Sequence, residues 1–356
     1  MWQESNEDRG DEPVVPAATT VAPMVEVNRK VVLRRRPTGL VVQDDVELVE
    51  EAMAPLEDGQ ARVLTTHVGV DAAVRTWLDG EEGYLPALQL GDVIRSGSVG
   101  EIVESRCDAY EVGDVVTTLG GFCDYTIVAD DLFTTKVDRD VDRKAMIAVF
   151  GSTGATAYFG MNDIGKPTDG ETVVVSAAAG ATGSLAGQIA RAMGASRVVG
   201  IAGSDEKCQV VVDEFGFDSC INYKTADLKA ALREHCPDRI DVYFDNVGGE
   251  VLDAVLGGLA HGGRVALCGV ISSYLTGEHP GPKNYVKLLS QCGLMQGFNT
   301  LDEWGRFDEA FAELRAWVDA GQIVYRAQEF EGLDEAVPAL NALFEGTNIG
   351  KTLLNP

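Results

Sequence analysis

The chain has 356 residues, of which 45% are hydrophobic and 24% charged, enough for two domains that each bury a core. Its formal net charge of −27 argues against nucleic-acid binding, because phosphate backbones require clustered lysine and arginine. No apolar run approaches the roughly 20 residues that span a bilayer, so neither a nucleic acid nor a membrane is expected as a partner.

Residues 1–25 are predicted to be disordered, since they are polar and rich in proline, alanine and threonine. They also lack the basic stretch and following apolar run of a secretory signal. The seven cysteines include no Cys-x-x-Cys pair, and their odd number is typical of reduced thiols rather than of a disulfide framework. We therefore expect a cytoplasmic protein.

Residues 26–145 are predicted to form a β-rich domain. Short β-branched runs alternate there with turns of glycine, aspartate and proline, and the candidate strands are VVLRRR, ARVLTTHVGV, VGEIVES, DVVTTLG and CDYTIVA. Over residues 146–318 strands alternate with helices, which predicts a parallel sheet with right-handed crossovers. The strands of this second domain are expected at 172–176, 197–202, 240–245, 263–268 and 293–299.

Residues 172–194 predict a dinucleotide site. The β-branched strand 172–176 leads into a turn of small residues with Gly180 and Gly183, and apolar residues then recur at helical spacing. In such a turn, free N–H groups and the helix dipole face a pyrophosphate, and the glycines let it come close. The pattern is AxxGxxG rather than the complete GxGxxG, so an ordinary strand-to-helix turn is the alternative.

The end of the following strand favours NADP(H) over NAD(H). An NAD site has an acidic residue there, about 20 residues past the glycines, to bind the ribose 2′-hydroxyl. Here the strand RVVGIA leads instead into Gly203, Ser204 and, shortly afterwards, Lys207, which suit a 2′-phosphate. Asp205 argues in the opposite direction, and Ser204 is also a typical helix N-cap.

A long, ordered series of motifs covers the second domain and the end of the chain: GSTGATAYFG, VVVSAAAGATGSLAGQIA, GIAGSDEK, GFDSCINYK, DVYFDNVGGEVLDAVL, CGVISSY, GPKNY, MQGF and GTNIGK. In these motifs the chain resembles the zinc-free medium-chain dehydrogenases/reductases, in the branch of prostaglandin reductases, leukotriene hydroxydehydrogenases and plant alkenal double-bond reductases. The resemblance implies an α/β fold with a GroES-like β-rich catalytic domain and a Rossmann domain, whose parallel sheet is doubly wound. It also implies that residues 319–356 return to the catalytic domain, and that the protein is a homodimer joined at the edge of the Rossmann sheet.

The resemblance further implies which residues bind NADP(H). The pyrophosphate would be held by the turn Gly180, Ala181, Thr182 and Gly183, and the 2′-phosphate by Lys207 and Tyr223. The ribose and nicotinamide would be lined by Asn246, Cys268, Val270, Ile271, Ser272, Phe298 and Asn348. Two of these have simple structural alternatives, since Asn246 suits a turn and Tyr223 suits the edge of a core.

No metal site is expected. Zinc-dependent relatives need a cysteine, a His-Glu pair and a further cysteine around the catalytic ion, and this chain has Gly69-Val70-Asp71 and Ser98-Val99-Gly100 at the first two places. Without a Lewis acid, alcohol oxidation is disfavoured. Reduction of a C=C bond conjugated to a carbonyl group needs only a hydride and hydrogen-bond donors for the enolate oxygen.

The resemblance makes Tyr274, in CGVISSY, the candidate catalytic donor, with the ribose 2′-hydroxyl of the cofactor as a competing donor. A tyrosine that covers the cofactor without taking part in the chemistry is the alternative. Tyr84 is the retained substrate residue, whereas Ala73 and Ser152 replace a tyrosine and a methionine of the family, which predicts a roomier pocket.

The sequence thus predicts an NADPH-dependent reductase of the C=C bond of α,β-unsaturated ketones and aldehydes, with hydride transfer to the β-carbon and an enolate stabilised by Tyr274, by the cofactor ribose 2′-hydroxyl or by both. One alternative is a zinc-free NADPH quinone reductase, which would pass electrons to a ring. The other is a protein that binds NADP(H) without catalysis.

Overall fold

A computed structural model of the protein describes residues 27–80, 83 and 85–356. The segment predicted to be disordered and Tyr84 lie outside these described residues. The described chain forms a β-rich unit and a parallel sheet covered by helices, which confirms the predicted α/β fold class. None of its helices is long and apolar enough to cross a membrane.

Strands dominate the first part of the described chain. In chain order the elements are β1 (Val27–Leu33), β2 (Val46–Ala52), β3 (Gln60–Val70), α1 (Ala72–Trp77), β4 (Ser98–Ser105), β5 (Val115–Thr118), β6 (Tyr125–Ala129) and β7 (Thr135–Val137). Two helices, α2 (Arg143–Ala145) and α3 (Ser152–Phe159), then lead into the second unit.

The second unit alternates strands and helices. Its elements are β8 (Thr172–Ser176), α4 (Ala181–Ala192), β9 (Arg197–Ala202), α5 (Asp205–Asp213), β10 (Ser219–Asn222), α6 (Leu228–His235), β11 (Ile240–Asp245), α7 (Gly249–Gly257), β12 (Leu259–Leu267), α8 (Val286–Gln291), β13 (Leu294–Gly297) and α9 (Phe307–Asp319). The chain closes with β14 (Ala327–Glu331), α10 (Ala336–Glu345) and β15 (Lys351–Asn355).

The parallel sheet has the strand order β10-β9-β8-β11-β12-β13. Its strands alternate between two cores because successive side chains point to opposite faces: Val173 and Phe244 pack on one face, and Val174 and Tyr243 on the other. The strand order reverses between β8 and β11, because the connections that follow these two strands run toward opposite edges of the sheet. The carboxyl ends of these strands therefore border a crevice.

The other large sheet has the order β14-β15-β3-β4-β5-β7, with β6 paired to β3. The last strand, β15, pairs antiparallel with β3 and parallel with β14, so the end of the chain completes a sheet that its beginning started. Strands β1 and β2 form a separate antiparallel pair.

All five strands predicted for the second unit are present, although β12 begins four residues earlier than expected. Three strands escaped prediction: β2, β7 and β10. The division into domains at residues 145 and 318 stays a prediction.

Gly350 connects the end of the chain to the turn after β8. Its N–H donates to the Ala179 carbonyl at 2.8 Å, and it forms a β-bridge with Gly180. Its φ angle is +73°, and a Cβ atom there would lie 2.2 Å from the Arg326 carbonyl oxygen. Both conditions require glycine.

We expect Gly350→Ala to lower the free energy of unfolding by roughly 2 kcal/mol or more, since it combines a left-handed backbone with a steric overlap. Gly346→Ala is the matched control, because Gly346 has a φ of +71° and open space around it. Urea unfolding of both variants measures the difference. Equal losses would show that the close approach at Gly350 contributes nothing.

Candidate functional site

A large cleft opens where the two units meet. Its volume is about 2060 Å³, and one wall comes from the carboxyl ends of β8, β9, β11 and β12. The opposite wall comes from β3, α3 and β15. Open parallel sheets bind their ligands at this position, so the cleft is the candidate site.

The turn after β8 forms a cradle for an anionic group. Gly180 is the N-cap of α4 and donates its N–H to the Ala177 carbonyl at 2.9 Å. A Cβ atom on Gly183 would lie 2.3 Å from the same carbonyl oxygen, so only glycine fits. The first N–H groups of a helix have no intrahelical acceptor, and at this helix they belong to the cleft-lining residues Ala181, Thr182 and Gly183.

Two lysines and a tyrosine surround the end of β9. Ser204 is the N-cap of α5 and accepts the Lys207 N–H at 3.2 Å, and the Lys207 side chain lies in the cleft wall. A Cβ atom on Gly203 would lie 3.4 Å from the Tyr223 ring and 3.7 Å from the Lys224 Nζ atom. Neither ammonium group forms an ion pair with a described residue.

The electrostatics of this corner suit an anion. Burial lowers the pKa of Lys207, and the nearby charge of Lys224 lowers it further. An anion between the two ammonium groups would compensate for the lost water and for their mutual repulsion. Asp205, which argues against a phosphate in the sequence, accepts a hydrogen bond from Asn222 Nδ2 at 2.7 Å.

The buried Asp245 carboxylate, at the end of β11, fixes the next turn. Its Oδ1 atom accepts hydrogen bonds from the Tyr243 hydroxyl at 2.7 Å and the Ser176 hydroxyl at 3.2 Å. The N–H groups of Val247 and Gly248 donate to the same atom at 3.0 and 2.9 Å. Burial raises the pKa of Asp245, and these four donors act against that rise.

The loop after β12 is fastened to the same carboxyl ends. The N–H groups of Cys268 and Gly269 donate to the Asp245 carbonyl at 2.9 and 3.0 Å. The Ser272 hydroxyl donates to the Val247 carbonyl at 2.6 Å. The two loops therefore form one surface along the cleft.

Tyr274 lies within this loop, and its hydroxyl group forms one hydrogen bond with the described residues. Its oxygen accepts the Val270 N–H at 3.2 Å, and no described group accepts its proton. Burial raises the pKa of Tyr274, so the phenol stays protonated at neutral pH. Burial also raises the pKa of Cys268 to about 12, which leaves that residue a neutral thiol.

Three more side chains complete this end of the cleft. Asn246 Nδ2 donates to the Ser176 carbonyl at 2.7 Å, which orients the amide along the wall. The Phe298 ring meets Phe244 edge to face, with the ring centroids 6.3 Å apart. Asn348 lies buried in the loop before β15.

The structure brings most of the residues predicted from the sequence to the cleft wall: Gly180, Ala181, Thr182, Gly183, Lys207, Tyr223, Asn246, Cys268, Ile271, Ser272, Tyr274, Phe298 and Asn348. Val270 does not reach it, because its side chain packs against Gly248 and its N–H is bonded to Tyr274. Lys224 also lines the cleft but was not predicted from the sequence, although its position directly after Tyr223 could have indicated it. Roles in binding stay a proposal for all of them.

Among the described residues, no three histidine, cysteine, aspartate or glutamate side chains are grouped so that they could hold a metal ion.

Two family profiles match the chain. One, described as the N-terminal domain of oxidoreductase, matches residues 29–136, and one described as zinc-binding dehydrogenase matches residues 181–315.

Curated relatives match over nearly their whole length. The chain is 40% identical over 336 residues to the putative NADP-dependent oxidoreductase YfmJ of Bacillus subtilis, and this match covers 93% of this chain and 98% of that protein. It is 36% identical to the NADPH-dependent curcumin reductase of Escherichia coli, and this match covers 92% of this chain and 96% of that protein. It is 35% identical to the 2-alkenal reductase (NADP(+)-dependent) of Nicotiana tabacum, and this match covers 92% of this chain and 97% of that protein.

A solved structure matches as well. The crystal structure of CurA in complex with NADPH from Vibrio vulnificus has a TM-score of 0.87 and 36% identity, with 92% of this chain and 98% of that chain covered.

Proposed function

The chain belongs to the zinc-free branch of the medium-chain dehydrogenases/reductases, and we propose that it is an NADPH-dependent enzyme that reduces the C=C bond of α,β-unsaturated ketones and aldehydes. The 2-alkenal reductase among its relatives acts, by its name, on such an aldehyde. The observation that carries the proposal is the Tyr274 hydroxyl in the cleft wall, whose oxygen accepts the Val270 N–H and whose proton has no acceptor among the described residues.

The cleft residues fit NADPH. The glycine turn presents N–H groups to a pyrophosphate, since a side chain at Gly183 would collide with the backbone. Lys207 and Lys224 both line the cleft and form no ion pair with a described residue, and this supports a 2′-phosphate between them. Tyr223 would form the side of that subsite.

When bound, NADPH supplies a hydride, which the substrate takes at its β-carbon while negative charge develops on its carbonyl oxygen. Tyr274 donates its proton in a hydrogen bond to that oxygen, and the Val270 N–H keeps the phenol in place. The enolate then takes a proton at the α-carbon from the phenol or from water. With NADPH bound, Tyr274 would share this role with the ribose 2′-hydroxyl.

Turnover tests the reaction class. NADPH oxidation is followed with 2-alkenals, cyclic enones and quinones, and the products are identified by mass spectrometry. A saturated ketone or aldehyde supports the proposal, whereas a hydroquinone would identify a quinone reductase. Absence of turnover with all three classes would favour a protein that binds NADP(H) without catalysis.

Lys207→Ala should weaken NADPH binding roughly ten- to hundredfold and leave NADH binding nearly unchanged, because one charge-assisted phosphate contact contributes about 1.5–3 kcal/mol. We expect Lys224→Ala to act in the same direction. Dissociation constants from NADPH and NADH fluorescence measure both effects.

Lys287→Ala, which removes a lysine that does not line the cleft, is the control and should change neither constant. Equal losses for NADPH and NADH in the Lys207 variant would contradict the phosphate assignment.

Tyr274→Phe should lower kcat about ten- to hundredfold and leave the NADPH dissociation constant unchanged. This loss of rate lies at or below the usual range for removal of one oxyanion donor, since the ribose hydroxyl and water substitute in part. Because burial raises the pKa of Tyr274, the donor form persists through neutral pH, and the native kcat should fall only in alkali, above the usual tyrosine range. A variant with native kcat and weakened NADPH binding would make Tyr274 a covering residue.

We propose a homodimer in which two copies meet at β13, one of the two edge strands of the parallel sheet. Apolar side chains are exposed there and on the preceding segment: Tyr285, Val286, Leu289 and Leu294. Leu289 is 85% exposed, which a monomer rarely tolerates beside an unpaired strand. A twofold axis would cover both features with the same surface of a second copy.

Leu289→Glu should convert a dimer to a monomer in light scattering at micromolar concentration. Leu132→Glu is the control, because Leu132 is 62% exposed in the other unit. A monomeric native protein, or a Leu289 variant that stays dimeric, would refute this interface.

A cytoplasmic location is part of the proposal. All seven cysteines are free thiols, and Cys292 is exposed. Such thiols persist in a reducing compartment.

A further inference from the structure

One wall of the cleft contains a buried lysine. Lys351, the first residue of β15, lines the cleft and is 2% exposed. Its Nζ atom donates to the Asp71 carboxylate, and to the Thr153 hydroxyl at 3.1 Å. A Cβ atom on Gly69 would lie 3.3 Å from the same Nζ, so glycine makes room for the ammonium group.

Three distant segments meet at this ammonium group. Asp71 follows β3 and is the N-cap residue of α1, and Thr153 lies in the first turn of α3. Lys351 itself follows Asn348 by three residues, and both line the cleft. The contact therefore lies on the wall that faces the glycine turn and the Tyr274 loop.

The two charges differ in their exposure. The Lys351 side chain is 2% exposed, whereas the Asp71 side chain, which also lines the cleft, is 36% exposed. Without the ammonium group, Asp71 would present a bare carboxylate to the cleft. That charge would oppose any reaction in which negative charge develops on a bound substrate.

We propose that Lys351 is a positioning residue that acts through Asp71: its ammonium group cancels the carboxylate charge, so that the substrate end of the cleft tolerates an anionic transition state. This inference rests on the proposed reduction of conjugated carbonyl compounds. A role limited to joining the three segments is the alternative that the experiment must separate.

Three variants separate charge from architecture. Lys351→Met leaves a methionine of similar length and a bare carboxylate, and it should lower kcat for an enone by roughly tenfold or more. Asp71→Asn removes the carboxylate and should lower kcat clearly less than Lys351→Met does, since no negative charge then faces the cleft. The double variant Lys351→Met/Asp71→Asn should recover most of the loss, because the local charge returns to zero.

The NADPH dissociation constant and the melting temperature are measured for every variant. We expect the dissociation constant to stay at its native value throughout, since the Lys351 ammonium group bonds to Asp71 and Thr153 and to no residue of the glycine turn. Lys144→Met is the matched control, because it removes a lysine–glutamate pair between α2 and β14 that does not line the cleft.

A purely architectural contact predicts a different pattern. Lys351→Met and Asp71→Asn would then lower kcat alike, and the double variant would be no better than either, which overturns the proposal. If Lys351→Met does not fold, Asp71→Asn decides alone, since a loss of more than about tenfold would show that the contact matters as a junction. A native protein that reduces no enone overturns the proposed function together with this inference. An active native protein whose double variant stays slow overturns this inference alone.

Discussion

The Asp245 carboxylate organises the carboxyl end of the parallel sheet. Removed from water, it needs several donors, and a hydroxyl on β8, a hydroxyl on its own strand and two N–H groups of the next turn supply them. The backbone carbonyl of the same residue receives the loop after β12. Loss of the carboxylate would leave these four donors without the acceptor that they share, so the turn after β11 depends on one side chain.

The opposite wall depends on the return of the chain. Because β15 pairs with β3, the segment before it passes directly over the glycine turn, where Gly350 bonds to Ala179. The same return delivers Asn348 and Lys351 to the cleft. Backbone hydrogen bonds therefore join the two walls beside the glycine turn.

The parallel sheet could be predicted because buried strands are nearly continuous apolar runs between helices of clear periodicity. Strand β2, VELVEEA, escaped because five of its seven residues are exposed, so its sequence does not alternate between apolar and polar positions. Strand β10 escaped because it is a four-residue strand at the sheet edge. Lys224 and Lys351 escaped for another reason. The sequence does not distinguish a lysine that lines a cleft or lies in a core from a solvated lysine. Only the packing shows that Lys224 faces the cleft and that Lys351 is buried.

Under the proposed function, Lys207 and Lys224 also bear on the kinetics of association. The whole chain carries a net charge of −27, so within a Debye length of about 10 Å of its surface an approaching dinucleotide phosphate would meet a repulsive field. The two ammonium groups would attract it only at short range, against that field. Added salt would screen the long-range repulsion more than a partly buried contact, so a moderate rise in ionic strength would accelerate capture of the cofactor.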